Sequence, residues 1–200
     1  MEQIIVHILA FNEVEVLDLS GPYEVFSITE NENKEKLFKV SIVAEKKELL
    51  HARNRFPVFP HLTLEEAGIP DILVIPGGYG AEEIEIHNKK LLSWIKEMEP
   101  KVKILASICT GAFLLAEAGI LDGMEVTTHW MDQDTLRKKY PKIKKVVHEK
   151  FIDHGHILTS GGVSRGILMS LHLVEKLVGK KIAEFTARRM EFDPYLNDVI

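Results

Sequence analysis

The stretch 103-KILASICTGAFLLAEAGILDG-123 decides how this chain is read. Ile104 to Ile108 form a short apolar run of the kind a buried strand in a parallel sheet requires. Thr110, Gly111 and Ala112 are small enough to turn the chain sharply, and "TGAFLLAEAG" then reads as a helix that stops at Gly119. Between run and helix stands Cys109, the one cysteine in 200 residues. A lone cysteine is most often a small core residue. A strand-to-helix turn, by contrast, presents the thiol above the sheet edge. There the helix N-terminus and backbone donors favour the thiolate, so a pKa below that of a free thiol is expected. The same geometry aims the Thr110 N–H at an atom that becomes anionic under thiolate attack.

Outward from this stretch, "IIVHILA", "FKVSIVAE" and "DILVIPGG" precede it and "EVTTHW" follows, alternating with helical patterns. That order indicates βαβ units around a mostly parallel sheet. The first helix is expected near "SGPYEVFSI", capped by Ser20 with Pro22 in its first turn. Leu91, Leu92, Ile95 and Met98 of "NKKLLSWIKEM" recur at helical spacing. "KVVHEKFIDHGHILTSGG" predicts two strands around a turn at 153–155. Two helices, "VSRGILMSLHLVEKLVG" and "KKIAEFTARRMEF", should part at Gly179 and end before Pro194. Nothing reads as a linker, repeat or low-complexity tract, so residues 1–200 are taken as one domain.

Composition narrows the function. One cysteine allows no intramolecular disulfide, which suits a reducing compartment. The net charge of −5 argues against general affinity for nucleic acid. The basic run "RKKYPKIKK" at 137–145 reads as a solvated helix end and turn. "MEQIIVHILAF" has no basic region ahead of its apolar stretch, and the apolar runs fall short of the ~20 residues that span a bilayer. A cytoplasmic protein without membrane contact is expected.

Three more motifs carry chemistry, each with an ordinary reading beside it. In "VIPGG", Gly77 and Gly78 close a strand, either as a simple exit turn or so that the Gly78 N–H can donate to the charge developing near Cys109. In "DLSGP", Asp18 either caps the first helix or reaches the thiol, where a carboxyl with a raised pKa could hold a proton to donate. In "TTHW", His129 is either a hydrogen-bonded structural residue or lies where Cys109 emerges, since ligands of open α/β sheets bind beyond the carboxyl ends of the strands. His154 and His156 share one face of a strand or turn but lack a third ligand, so no metal is expected. "GGYG" and "GGVSRG" lack the full dinucleotide or P-loop pattern, so no cofactor is expected.

Together "DLSGPYEVF", "VIPGGYG", "ICTGAFLLAEAGILDG", "VTTHW", "ILTSGGVSRGI" and "RRMEFDP" resemble, in order and spacing, the ThiJ/PfpI family of the class I glutamine amidotransferase-like superfamily, and within it the isonitrile hydratase branch. The resemblance implies a flavodoxin-like three-layer α/β sandwich with a nucleophile elbow at Cys109. It implies Asp18 as the acidic partner of the thiol, Gly78 and Thr110 as backbone anion donors, and a pocket that includes Gly77, Trp130, Gly162 and Arg165. It also suggests a homodimer. Members with a histidine directly after the cysteine act on peptides or amides; Thr110 stands there, which disfavours a protease. The deglycase and glyoxalase-like branch has a histidine placed as His129 is, but usually Glu where this chain has Asp18. Leu168, and Ser164 with Arg165, depart from the hydratase-like pattern, and an Arg165 facing the pocket would favour an anionic ligand. Three functions follow as expectations: cofactor-free hydration of a small isonitrile, glyoxalase or deglycase-like action on small aldehydes or their adducts, and noncatalytic redox or metabolite sensing. Regulators that resemble this chain carry an added helix-turn-helix module, so direct DNA binding is not expected.

Overall fold

The computed structural model describes residues 2–192. The elements run β1 (Ile4–Leu9), α1 (Val16–Ile28), β2 (Phe38–Ala44), β3 (Leu50–Ala52), β4 (Phe56–Val58), β5 (Leu62–Thr63), β6 (Ile72–Ile75), α2 (Lys89–Met98), β7 (Ile104–Ile108), α3 (Gly111–Glu117), β8 (Glu125–Val126), α4 (Gln133–Lys139), β9 (Lys145–Val146), β10 (Phe151–Asp153), β11 (Ile157–Ser160), α5 (Arg165–Val178) and α6 (Lys180–Arg189). Seven strands form the central sheet in the order β10-β11-β7-β6-β1-β2-β5. Every ladder in it is parallel except β10–β11. Helices α1, α5 and α6 pack together on one face, and α2 and α3 cover the other. This is the flavodoxin-like α/β fold, and its core is the continuous apolar run of the inner strands: Val6, Ile8, Ile72, Val74, Leu105 and Ile108 have no exposed surface.

The order reverses at β1, whose neighbours are β6 and β2, and such a switch point opens a crevice beyond the strand ends. β1 leads there into α1, β6 into Pro76-Gly77-Gly78, and β7 into Cys109. The pairing of Ile75 with Ser107 sets the "VIPGG" exit beside the Cys109 turn.

Several local expectations hold. The 153–155 turn joins β10 to β11, with Gly155 at φ +89° and its N–H on Asp153 Oδ1. Gly179, at φ +102°, separates α5 from α6; Pro194 lies outside the described residues. Others are corrected. Helix α1 begins at Val16, ahead of Ser20, whose hydroxyl bonds back to the Val16 carbonyl at 2.8 Å. The early start is set by the Glu15 N–H, held at 2.8 Å by the Gly77 carbonyl. Pro22 therefore lies inside the helix and cannot supply the Asp18 carbonyl with its helical donor. "EVTTHW" does not join the central sheet. β8 pairs with β9 in a separate two-stranded sheet, and past it side chains replace the ladder: Thr159 Oγ1 accepts from the Thr127 N–H at 3.0 Å. The β3–β4 hairpin went unpredicted because Pro57 and Pro60 mask its strand pattern, and its turn uses left-handed Asn54 and Arg55 in place of glycine.

His7 is a buried cost of this sheet. It is 2% exposed on the face it shares with Leu73, and its Nδ1 has no hydrogen-bond partner among the described residues. Burial, and then the charge of Lys39, lower its pKa to about 4. The native state thus holds it uncharged while the unfolded chain protonates it near 6.5, so stability drains as pH falls from about 6.5 toward 4, by up to about 3 kcal/mol. His7→Leu should flatten that acid limb and leave stability at pH 8 nearly unchanged. Urea midpoints at pH 5 and pH 8 for both proteins check it.

Candidate active site

Cys109 closes β7 in the left-handed region, φ +54°, a conformation that costs a non-glycine residue of order 1 kcal/mol and persists only where its surroundings enforce it. They do so here. The Cys109 N–H donates to the Ser160 carbonyl at 3.1 Å, and its carbonyl accepts from Thr128 Oγ1 at 2.7 Å. Gly111 then lets α3 start against β6, since a Cβ there would lie 2.2 Å from the Ile75 carbonyl oxygen. The result is a strand–elbow–helix with the thiol just beneath the surface, Cys109 being 6% exposed.

Asp18 is fully buried in the first turn of α1, and its carboxyl does not cap the helix. Glu15 occupies the cap position, and Asp18 turns inward to accept the Gly77 N–H on Oδ2 at 3.1 Å. Its Oδ1 has no hydrogen-bond partner among the described residues. The carboxyl lies close enough to the thiol for each to shift the other's titration. Burial pushes the Asp18 pKa up to about 8, opposed by the Gly77 N–H and reinforced by the Glu15 charge. Burial also pushes Cys109 up, and the Asp18 charge adds to it against the Thr110 N–H. The expected depressed thiol pKa is therefore corrected: α3 is a single short helix of seven residues, and its end cannot outweigh burial beside a carboxyl.

Gly77 is in close contact with the elbow. A Cβ on it would meet the Thr110 nitrogen at 2.5 Å and Cys109 Cβ at 2.9 Å. The Gly78 N–H, expected as a free anion donor, is engaged at 2.9 Å by Thr110 Oγ1. Thr110 Oγ1 in turn donates to the Gly78 carbonyl at 3.2 Å. The two loops are thus tied by the threonine hydroxyl, and the Thr110 N–H is left turned toward sulfur.

Gly162 brings the thiol and His129 to one gap: an added Cβ would lie 2.5 Å from Cys109 Sγ and 3.1 Å from His129 Cδ2. His129 Nδ1 sits 3.0 Å from Asp132 Oδ2. Trp130, with its ring centroid 6.0 Å from that of His129, is 65% exposed and forms the rim rather than a wall of the site. Arg165 does not face the site; its guanidinium donates to the Glu149 carbonyl at 2.9 Å and its stem packs over Gly161. Its expected preference for anions loses its basis. Leu168 is buried in α5. His154 and His156 do not converge, His154 turning to the Glu125 carbonyl and His156 to the Lys103 carbonyl and Glu99.

Three residues at the site were not legible in the sequence. Thr128 fixes the Cys109 carbonyl, and Asp132 holds His129 at the i+3 spacing of "HWMD", the one signal that could have been used. Glu82, in the π-helical turn Gly80–Ile84, has its pKa raised to about 7 by burial and then by the Asp132 charge, which puts it on the same side of the site.

A buried carboxyl facing a cysteine at such an elbow, beyond the switch point of a flavodoxin-like sheet, defines a class of thiol-bearing α/β proteins. The chain belongs to the DJ-1/PfpI family, whose pattern it matches over residues 5–176. It is 28% identical over 187 residues to the isonitrile hydratase of Pseudomonas putida, covering 93% of this chain and 77% of that protein. It is 31% identical over 132 residues to the HTH-type transcriptional regulator CdhR of Pseudomonas aeruginosa, covering 66% of this chain and 38% of the regulator. Among solved structures, a ThiJ/PfpI family protein from Pseudomonas syringae superposes with a TM-score of 0.85 at 24% identity, over 97% of this chain and 77% of that one.

Proposed function

We propose that the protein is a single-domain, cofactor-independent hydratase in which Cys109 adds to the carbon of a small isonitrile and releases an N-substituted formamide. The observation that carries this reading is Asp18: a fully buried carboxyl with an unpartnered Oδ1, kept protonated by its surroundings and set against the thiol. An isonitrile needs a nucleophile and a proton at the same carbon, and this pair supplies both. Both groups hold their protons at neutral pH. Sulfur bonds to the isonitrile carbon as Asp18 gives that carbon its proton and takes up the thiol proton in return, giving a thioimidate with Asp18 again protonated. Water then adds to the thioimidate carbon, its second proton going to nitrogen, and the tetrahedral adduct collapses. The C–S bond breaks, the formamide leaves, and the hydroxyl proton passes through Asp18 to sulfur, restoring the starting pair.

Access supports the substrate class. With Cys109 only 6% exposed and Gly162 against its sulfur, the reacting group must be slender, and the linear two-atom isonitrile head is. The N-substituent would extend to the rim, where Trp130 and Met131 are 65% and 66% exposed. No helix among the described residues is long and apolar enough to cross a membrane. Exposed Leu49, Phe56 and Phe59 around the β3–β4 hairpin accord with a homodimer.

A second reading, glyoxalase or deglycase-like turnover of small aldehydes, draws on the approach of His129 to the thiol. Rates on cyclohexyl isonitrile and on methylglyoxal, for the wild type and Cys109→Ser, separate the readings. The expected result is formamide from the isonitrile at a rate reduced at least a hundredfold in the serine variant. Consumption of methylglyoxal alone would favour the second reading, and inertness to both would return Cys109 to a sensing role.

A further inference from the structure

We propose that Asp132 is a positioning residue for the second half of the reaction, holding His129 so that its Nε2 takes a proton from the water that frees product from Cys109. The inference rests on the hydratase reading above. Its first support is a bond that Asp132 does not make. Asp132 stands at the N-cap of α4, where an aspartate ordinarily accepts from the first free N–H groups, yet it makes no such side-chain bond. Its Oδ2 lies instead 3.0 Å from His129 Nδ1. The pair is locked from the backbone side as well. The Asp132 N–H donates to the His129 carbonyl at 3.0 Å, and the Asp132 carbonyl accepts from Leu136 at 2.8 Å.

The second support is the direction of the ring. A carboxylate on Nδ1 selects the tautomer with the proton there, which leaves Nε2 as the open acceptor. The edge turned toward the thiol is the one that carries Nε2, because Cδ2 bounds the same gap at Gly162 as Cys109 Sγ. A nucleophile, a ring edge and a carboxylate that orients the ring thus stand in series.

The third support is accessibility. Asp18 has no exposed surface, and one of its oxygens is held by Gly77, so it suits the proton transfer of the dry first step. The His129 side chain is 20% exposed and that of Asp132 28%, on the side of the exposed Trp130 and open to solvent. Labour divides accordingly. Asp18 delivers the proton to carbon as sulfur adds. His129 removes a proton from water as its oxygen bonds to the thioimidate carbon, and then returns that proton to nitrogen.

Intact-protein mass after rapid mixing with cyclohexyl isonitrile, read with formamide release, tests the assignment. Asp132→Asn should form the Cys109 adduct, heavier by one isonitrile, as fast as wild type does. It should release formamide about a hundredfold more slowly, so that the adduct accumulates toward one per chain. His129→Gln should accumulate the same adduct, and Asp132→Glu should recover most of the release rate. Release at the wild-type rate from Asp132→Asn would overturn the inference. So would adduct formation that slows in step with release, because Asp132 would then act in the first step or only on the fold. Failure of the hydratase reading is told apart in the wild-type arm, where neither adduct nor formamide would form, and it takes this inference with it.

Discussion

Asp18→Asn should yield a protein that is more stable than wild type at neutral pH and almost inactive. The expectation for activity follows from the missing proton: an amide cannot protonate the isonitrile carbon, and loss of a general acid costs roughly 10²–10⁴ in rate. The expectation for stability follows from linkage. The carboxyl has no exposed surface and titrates at about 8 in the folded protein, against 3.8 as its ordinary value. Below about pH 4 both states hold the proton and the site is neutral to stability. As pH rises from about 4 to 8 the unfolded chain ionises and the native one does not, so wild-type stability falls by several kcal/mol across that window. Asparagine keeps an acceptor for the Gly77 N–H and cannot ionise. The variant should therefore lead by about 2 kcal/mol or more at pH 7.5, roughly 4–8 °C in melting temperature for a chain of this size, and lose its lead below pH 4. Thermal melts at pH 4 and pH 7.5, with isonitrile turnover, check both halves. A variant that melts lower than wild type at pH 7.5 would show that the carboxylate is ionised and stabilising in the native state, which removes the proton donor from the mechanism.

That pairing of instability with chemistry explains which parts of the molecule the sequence could disclose. The inner strands were legible because each is buried on both faces and so reads as an unbroken apolar run; "IIVHILA", "DILVIPGG" and "KILASIC" emerged as β1, β6 and β7. The elbow was legible for a related reason, since only a residue without a side chain fits two places after Cys109, where an added Cβ would lie 2.2 Å from the Ile75 carbonyl oxygen. Long-range geometry was not legible. Asp18 and Ser20 both looked like helix caps because capping propensity is local, whereas the true start of α1 is set by Gly77 across the fold. The strand pattern of "EVTTHW" misleads because threonines favour strands, yet here the Thr127 N–H donates to the Thr159 hydroxyl and the Thr128 hydroxyl donates to the Cys109 carbonyl. The charge state of the thiol is hidden in the sequence for the same reason: the helix terminus is a local feature, and the burial that opposes it exists only in the assembled sheet.

Gly162→Ala should cost about a hundredfold in turnover at a modest loss of stability, and Gly111→Ala should cost the larger share of stability. The contrast lies in what each new methyl meets. At Gly162 it would lie 2.5 Å from Cys109 Sγ, 2.8 Å from Cys109 Cβ and 3.1 Å from His129 Cδ2, and the backbone there is not in the left-handed region. Swinging the thiol to another rotamer relieves the sulfur contact, and a shift of the Gly162 turn by a few tenths of an ångström relieves the Cβ contact, together at a cost of about 1–2 kcal/mol. The chemistry cannot tolerate that swing, because the sulfur must stand against Asp18 and the isonitrile carbon, and a displacement of about 1 Å costs on the order of a hundredfold. At Gly111 the methyl would meet the Ile75 carbonyl oxygen at 2.2 Å and the Pro76 carbonyl oxygen at 2.9 Å. These are backbone atoms of the central sheet and its exit, so α3 must move bodily and a loss of about 3 kcal/mol is expected. Melting temperature and kcat/KM measured on both variants form the test. If Gly162→Ala turned over isonitrile as wild type does, the thiol would not be working from its place beside Gly162, and the approach of His129 to the sulfur would lose its part in the proposed reaction.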